Sequence, residues 1–309
     1  MLSVGRNIGR TTLRAWGRAG RASGYQYRVI ESYGHSLAED YLLHARLPNG
    51  CRVKCELRDE VQRLMWFYGL YEPIESYLFN QLLQPGMVVI DVGANVGQYT
   101  MLASTAVGRL GSVHSFEPVP STFARLNQHI SDNSLMNVYL NNAAIWHEET
   151  SIALGLPTDM INNAGAYTVG VGSDSASRVE VHTLTLDNYA DRHNLARVDV
   201  IKMDIEGAEP AAIAGGLGVI RKFRPLILAE VNRAALIGAG YSTVELWTIV
   251  SGLGYRVWRI GQSLEDSGPV RDLESVVQGN VLFHHGDLPR RITSGWTLRG
   301  VLHWARSRL

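Results

Sequence analysis

The chain has 309 residues, 46% hydrophobic and 19% charged, which suits a globular core and excludes disordered and fibrous classes. Lysine plus arginine and aspartate plus glutamate balance at 29 each, so no global field directs it to nucleic acid. Cys51 and Cys55 supply neither a disulfide framework nor a zinc set, and a reducing, cytoplasmic setting follows as the expectation.

No apolar run reaches the roughly 20 residues that span a bilayer. The N-terminus also lacks the apolar stretch of a secretory signal. It is basic instead, with Arg6, Arg10, Arg14, Arg18, Arg21 and Arg28 ahead of the first acid, Glu31. The first four recur every fourth residue, so a helix aligns them along one side. The first reading is a solvated basic extension. The second is a helix lying on an anionic membrane surface, which would place the chain peripherally at the inner face.

Next, "YLLHARLPNGCRVKCELRDE" predicts two short strands around Pro48-Asn49-Gly50, and "EPIESYLFNQLL" predicts a helix with Pro73 near its start. From residue 87, apolar strand-like runs alternate with helical patterns. The runs cover 87–92, 112–116, 138–145, 198–205 and 225–231; the helices cover 97–106, 119–132 and 209–221. This alternation predicts an α/β fold, a doubly wound and mostly parallel sheet covered on both faces. A Gly/Asn/Ser-rich stretch at 146–190 interrupts it and reads as a loop and edge-strand insertion at the rim of the sheet, shaping the acceptor site. A helix at 243–252, strands at 255–260 and 280–285, and a basic amphipathic tail complete the chain. The division is therefore 1–50 for the basic extension and the start of a small strand region, 51–84 for a hairpin and helix, 85–286 for the core domain, and 287–309 for the tail.

The stretch "VIDVGANVGQYT" (89–100) breaks from strand into glycines where such a sheet holds its ligand. Aligned on G-x-G-x-x-G from Gly93, Asn95 replaces the second glycine and Gln98 the third, which argues against a pyrophosphate. Asp91 at the strand end would repel a diphosphate, and no P-loop pattern occurs. A ligand with a cationic head and a ribose fits better: S-adenosylmethionine, with Asp91 facing its amino-acid end and Gly93 and Gly97 allowing close approach. Glu117 follows Gly97 by 20 residues, where an acid holds ribose hydroxyls.

"DVGANVGQYT", "FEPVPSTFARLNQHI", "VEVHTLTLDNYA", "VDVIKMDIEGAEPAAIAGG" and "RPLILAEV", in this order, resemble the FkbM-type S-adenosylmethionine-dependent methyltransferases. The resemblance covers residues 85–232. It implies a class I, Rossmann-like methyltransferase fold with a seven-stranded sheet and reversed last hairpin, and O-methylation of secondary metabolites or surface-glycan sugars. It places Asp91, Gly93, Asn95 and Gly97 in the first cofactor motif, Glu117 on the ribose, and Asn142 and Ala143 at the adenine.

Methyl transfer to an alcohol needs positioning and a proton acceptor. "KMDIEGAE" sets Lys202, Asp204, Glu206 and Glu209 at the ligand edge, where buried charge is costly unless paired or functional. Asp204 is the leading base with Lys202 as partner, Glu206 and His182 are alternates, and Glu209 favours the next helix's N-terminus. Glu230 with Asp204 could hold a divalent metal, a weaker reading than none. Asp187 reads as a helix N-cap, and the adjacent His284 and His285 face opposite ways. The expected acceptor is a small molecule or glycan. The competing readings are a non-catalytic nucleotide-binding or membrane-docked module and a nucleic-acid methyltransferase, the latter disfavoured by neutral charge and the lack of an Asn-Pro-Pro-Tyr-like motif.

Overall fold

The computed structural model describes residues 9–15, 29–30, 34–37, 42–158, 163, 166–169 and 175–305. The predicted hairpin forms as β1 (Leu43–Arg46) and antiparallel β2 (Arg52–Cys55). Gly50 takes φ 92°, the left-handed conformation its turn requires. Helix α1 (Glu60–Tyr68), which sequence periodicity missed, is capped by the Asp59 side chain and closed by left-handed Gly69. Helix α2 (Pro73–Leu82) begins on its proline as expected.

The core alternates as predicted: β3 (Val88–Val92), α3 (Gln98–Val107), β4 (Ser112–Phe116), α4 (Pro120–Asp132) and β5 (Val138–Asn141). The chain then leaves the main sheet. β6 (Ala144–Ile145), β7 (Ser151–Pro157) and β8 (Ser175–Leu184) build a separate three-stranded sheet in the order β6-β8-β7. The 146–190 stretch thus builds most of its own sheet beside the main one. Helix α5 (Leu186–Arg192), β9 (Val200–Met203), α6 (Glu209–Ala214), α7 (Leu217–Phe223) and β10 (Leu226–Asn232) return to the core. The helix expected over 209–221 is two helices because it breaks at Gly215, where a Cβ would stand 1.9 Å from the Trp146 carbonyl oxygen. Asp187 does not cap its own helix; Thr185 does, and Asp187 accepts from the Gly218 and Val219 N–H groups of α7.

Helices α8 (Arg233–Gly238) and α9 (Thr243–Gly252) lead to β11 (Arg256–Arg259), β12 (Gly268–Val270) and β13 (Gln278–His284). The main sheet runs β12-β11-β13-β10-β9-β3-β4-β5. Strands β3, β4, β5, β9 and β10 are parallel, and β13 is antiparallel to both β10 and β11. This is the doubly wound sheet with a reversed strand near its end, but eight-stranded rather than seven, because β12 adds an edge beside β11. Ile90, Ile201 and Ile227 pack in the core on one face, while Val89, Val200 and Leu228 meet α2 and α3 on the other. The tail forms α10 (Arg290–Thr293) and α11 (Leu298–Ala305), and buried Ile292, Trp296 and Val301 join the same cluster as α2.

Two of the N-terminal arginines, Arg10 and Arg14, lie within the described residues. Residues 9–15 are helical, Arg10 is buried, and the Arg14 guanidinium lies 4.2 Å from the Trp66 ring centroid while donating to the His44 carbonyl. These two side chains pack on the domain, Arg10 buried and Arg14 half-buried. Arg6, Arg18, Arg21 and Arg28 lie outside the described residues. Among the described residues no helix is long and apolar enough to cross a membrane.

Candidate active site

Strand register gathers the polar residues. Asp91 on β3 is the direct neighbour of Lys202 on β9, and two residues further along both chains Gly93 comes level with Asp204. On the other side Lys202 pairs with Leu228 of β10, so Glu230 follows beside Asp204. Asn280 on β13 pairs with Glu230 and donates to the Glu72 carboxylate at 3.0 Å. One polar row therefore crosses the carboxyl ends of β3, β9 and β10 to β13, at the switch point where ligands bind in open α/β sheets.

Lys202 organises this row. Its ammonium is buried, 2.7 Å from Asp204 Oδ2 and 4.5 Å from the Tyr99 ring centroid. Burial alone would lower its pKa, but Asp204, Asp91 and Glu72 outweigh burial and raise it. Asp204, Glu206 and Glu230 each offer one carboxylate oxygen, and the three atoms lie within 4.8 Å of one another. Burial, then the neighbouring Asp204, pushes Glu206 up to about 8 and Glu230 up to about 9. Glu206 sits at φ 52°, and Thr168 of the inserted region donates to its carbonyl at 2.7 Å. Glu209 accepts from the Ile205 N–H through Oε1 while its buried Oε2 has no hydrogen-bond partner, and its place at the start of α6 fits a helix-start role.

The glycine loop works differently from its sequence reading. A Cβ on Gly93 would lie 2.0 Å from the Asp204 carbonyl oxygen, and one on Gly97 would lie 2.6 Å from Leu126 Cδ1. Both glycines have positive φ, so backbone conformation and protein contact demand them. Asp91 stands near the end of β3. It is fully buried, its Oδ2 accepts from Thr100 at 2.6 Å, and its Oδ1 has no hydrogen-bond partner. Burial raises its pKa while Lys202 opposes the shift. Asn95, at φ 49°, donates its N–H to Glu117 Oε2 at 2.9 Å, and its side chain accepts from Val96.

Glu117 is the loop's counterpart. Its other oxygen accepts from the Val119 N–H at 2.9 Å, and burial lifts it to about 7. It lines a pocket with Gly93, Phe116, Val119, Ala143, Ile145, Asp204 and the inserted Ile152, Leu154 and Thr168. The pocket therefore unites Gly93, Glu117, Ala143 and Asp204 from the expected set. Asn142 stays outside it, because its amide is used on the Glu117 and Pro118 carbonyls. His182 stays outside too: it is exposed on β8 and pairs with Ser151 at 3.2 Å. The insertion walls this pocket, whereas a larger cavity of about 920 Å³ opens on the β10–β13 side.

That cavity shows what the sequence reading missed. Glu72 and Glu75 from the start of α2 line it with Glu230 and Asn280. Glu72 takes φ 45° and accepts from the Tyr99 hydroxyl at 2.9 Å; burial and then Asp204 raise it. Two acids at a helix start carry no signal beyond a favourable dipole position, so only the fold places them here.

The raised carboxylates set a pH response. Glu75, Glu117 and Glu209 stand near 7, Glu206 near 8 and Glu230 near 9, against 4.5 when unfolded. The folded state then holds protons that the unfolded chain has released, so stability falls as pH rises from 4.5 toward 9. Thermal unfolding midpoints should fall between pH 5 and pH 9, and a flat or rising profile would show that these groups titrate normally.

The model of the methyltransferase FkbM domain matches residues 91–257, more than half of the chain. The chain belongs to the FkbM methyltransferase family. It is 27% identical over 197 residues to the 31-O-demethyl-FK506 methyltransferase FkbM of Streptomyces tacrolimicus, covering 55% of this chain and 74% of that protein. It is 24% identical over 143 residues to Methyltransferase 1 of Beauveria bassiana, covering 41% of this chain but only 57% of that relative. A solved methyltransferase FkbM from Methylobacillus flagellatus aligns with TM-score 0.43 and 13% identity, covering 90% of this chain and 59% of that one. The family match spans Asp91 through Glu230, while Glu72, Glu75 and the C-terminal helices lie outside it.

Proposed function

We propose that this protein transfers a methyl group from S-adenosylmethionine to a hydroxyl of a sugar or secondary metabolite. The observation that carries this reading is the row Lys202–Asp204–Glu206–Glu230 beside the Glu117 pocket, at the switch point of the sheet. The Streptomyces relative, named for a 31-O-demethyl substrate, supports oxygen as the acceptor atom.

The residues suit this cofactor. Each Glu117 oxygen accepts one N–H and keeps a lone pair for a ribose hydroxyl. Phe116, Val119, Ile145 and Leu154 form an apolar wall for a base. Asp204, with Asp91 buried behind it, gives the Gly93 end the negative potential that a cationic head needs. Bound there, S-adenosylmethionine supplies an electrophilic methyl carbon. Asp204, ion-paired with Lys202 at 2.7 Å, accepts the hydroxyl proton of the acceptor, and Glu206 with its value near 8 can pass that proton on.

Calorimetry with S-adenosylmethionine, its demethylated product and NAD tests the reading. The first two should bind and NAD should not; the reverse pattern would sink it. Glu117→Ala should weaken the cofactor by at least ~1 kcal/mol, the scale of a hydrogen bond to a charged group.

A metal-assisted reading has its own observation, the three converging carboxylate oxygens. Lys202 already supplies the cation that such a cluster needs. Turnover should therefore survive EDTA; a loss restored by Mg²⁺ or Mn²⁺ would favour the metal.

A further inference from the structure

The larger cavity, taken with the methyl-transfer reading on which this rests, defines the acceptor. We infer that the cavity between α2, the end of β10 and α11 binds the acceptor and selects one bearing an ammonium group, an amino sugar or aminocyclitol.

Its volume of about 920 Å³ holds a molecule of disaccharide size. Glu72, Glu75 and Glu230 form its acidic side. Glu75 is 6% exposed, and among the described residues its carboxylate accepts from its own backbone N–H and from no side chain. The neighbouring cations are committed elsewhere: Lys202 to Asp204, and Arg259 to the Asp266 carbonyl at 2.8 Å. Lys202 acts on Glu72 from behind and Arg259 lines the same cavity, but among the described residues no cation forms an ion pair with Glu72, Glu75 or Glu230. Burial lifts Glu75 to about 7 and Glu230 to about 9 for the same reason.

A neutral sugar leaves these acids to hold their protons, and a uronate or sugar phosphate opposes their ionisation. An ammonium supplies the missing partner through charge-assisted hydrogen bonds. Ile74, Ile260 and Leu302 also line the cavity and give it apolar surface for the C–H faces of a sugar ring. Because Glu230 belongs both to this cavity and to the Asp204 trio, an amine held here leaves a nearby hydroxyl of the same molecule at Asp204.

The test titrates the full chain, saturated with S-adenosylhomocysteine, with a β-1,4-linked glucosamine disaccharide, its di-N-acetyl derivative and cellobiose. The diamine should bind at least about tenfold more tightly than the two neutral sugars, as one charge-assisted contact implies. Glu75→Gln should collapse most of that preference, with S-adenosylhomocysteine affinity reporting that the variant is folded. Equal binding of the three sugars, binding of none, or a full preference in Glu75→Gln overturns the inference. Failure of S-adenosylhomocysteine to bind the wild-type chain would instead sink the methyl-transfer reading, which separates the two failures.

Discussion

Asp204→Asn is expected to lower turnover by about 10²–10⁴-fold, the range that a positioned proton acceptor contributes. The amide keeps nearly the same shape but cannot take a proton. Lys202 loses its closest counter-charge, at 2.7 Å, yet Asp91 and Glu72 still face it, so the fold should survive with reduced stability. Cofactor affinity should fall much less than turnover, because Glu117 and the apolar wall are untouched and only the Asp204 share of the negative potential at the Gly93 end is lost. Single-turnover rates with radiolabelled cofactor, alongside direct cofactor titration, separate the two effects. Turnover within about threefold of wild type would remove Asp204 from the chemistry and move the role to Glu206.

Gly93→Ala should be among the most damaging single changes in the chain. The added methyl would sit 2.0 Å from the Asp204 carbonyl oxygen and 3.0 Å from Ile205 Cγ2, on a residue at φ 79°. Neither neighbour is a flexible side-chain end: one is backbone, and the other sits on the loop that carries Glu206. Left-handed strain adds ~1 kcal/mol or more, and the clash must separate β3 from the β9 loop. The expected loss exceeds ~3 kcal/mol, beyond ordinary substitutions. Since the same shift displaces Asp204, folded protein should also lose turnover more than cofactor affinity. A variant with wild-type melting temperature would show that the loop yields where the geometry says it cannot.

The strands and most helices were legible because apolar runs buried on two faces leave a continuous pattern, as in "VVIDV" and "LILAEV". Glu117, Gly93 and Asp204 were legible because strand ends in a doubly wound sheet fix where ligand groups stand. What escaped depended on distant contacts. Gly97 was read for ligand approach, yet its constraint comes from Leu126 on α4. Asn142 looked free to reach a base, yet two carbonyls of the Glu117–Pro118 turn claim its amide. His182 fell on an alternating strand whose exposed side only the small sheet's packing decides. Glu72 and Glu75 became site residues only when α2 docked against the end of β10 and β13. The contact of Arg14 with the Trp66 ring on α1 likewise joins residues 52 positions apart, beyond what local periodicity encodes.

The eighth strand bears on how the protein behaves in a crowd. A row of open backbone groups at a sheet margin invites another chain to pair with it, and long, flat margins are where aggregation starts. Here the margin next to β11 is taken by only three residues, and the middle one, Pro269, has no N–H to offer. Leaving out Gly268–Val270 would expose the longer, donor-bearing flank of Arg256–Arg259, with Trp258 at its centre. The short strand thus acts as a terminator for the sheet, giving the chain a margin that discourages self-association.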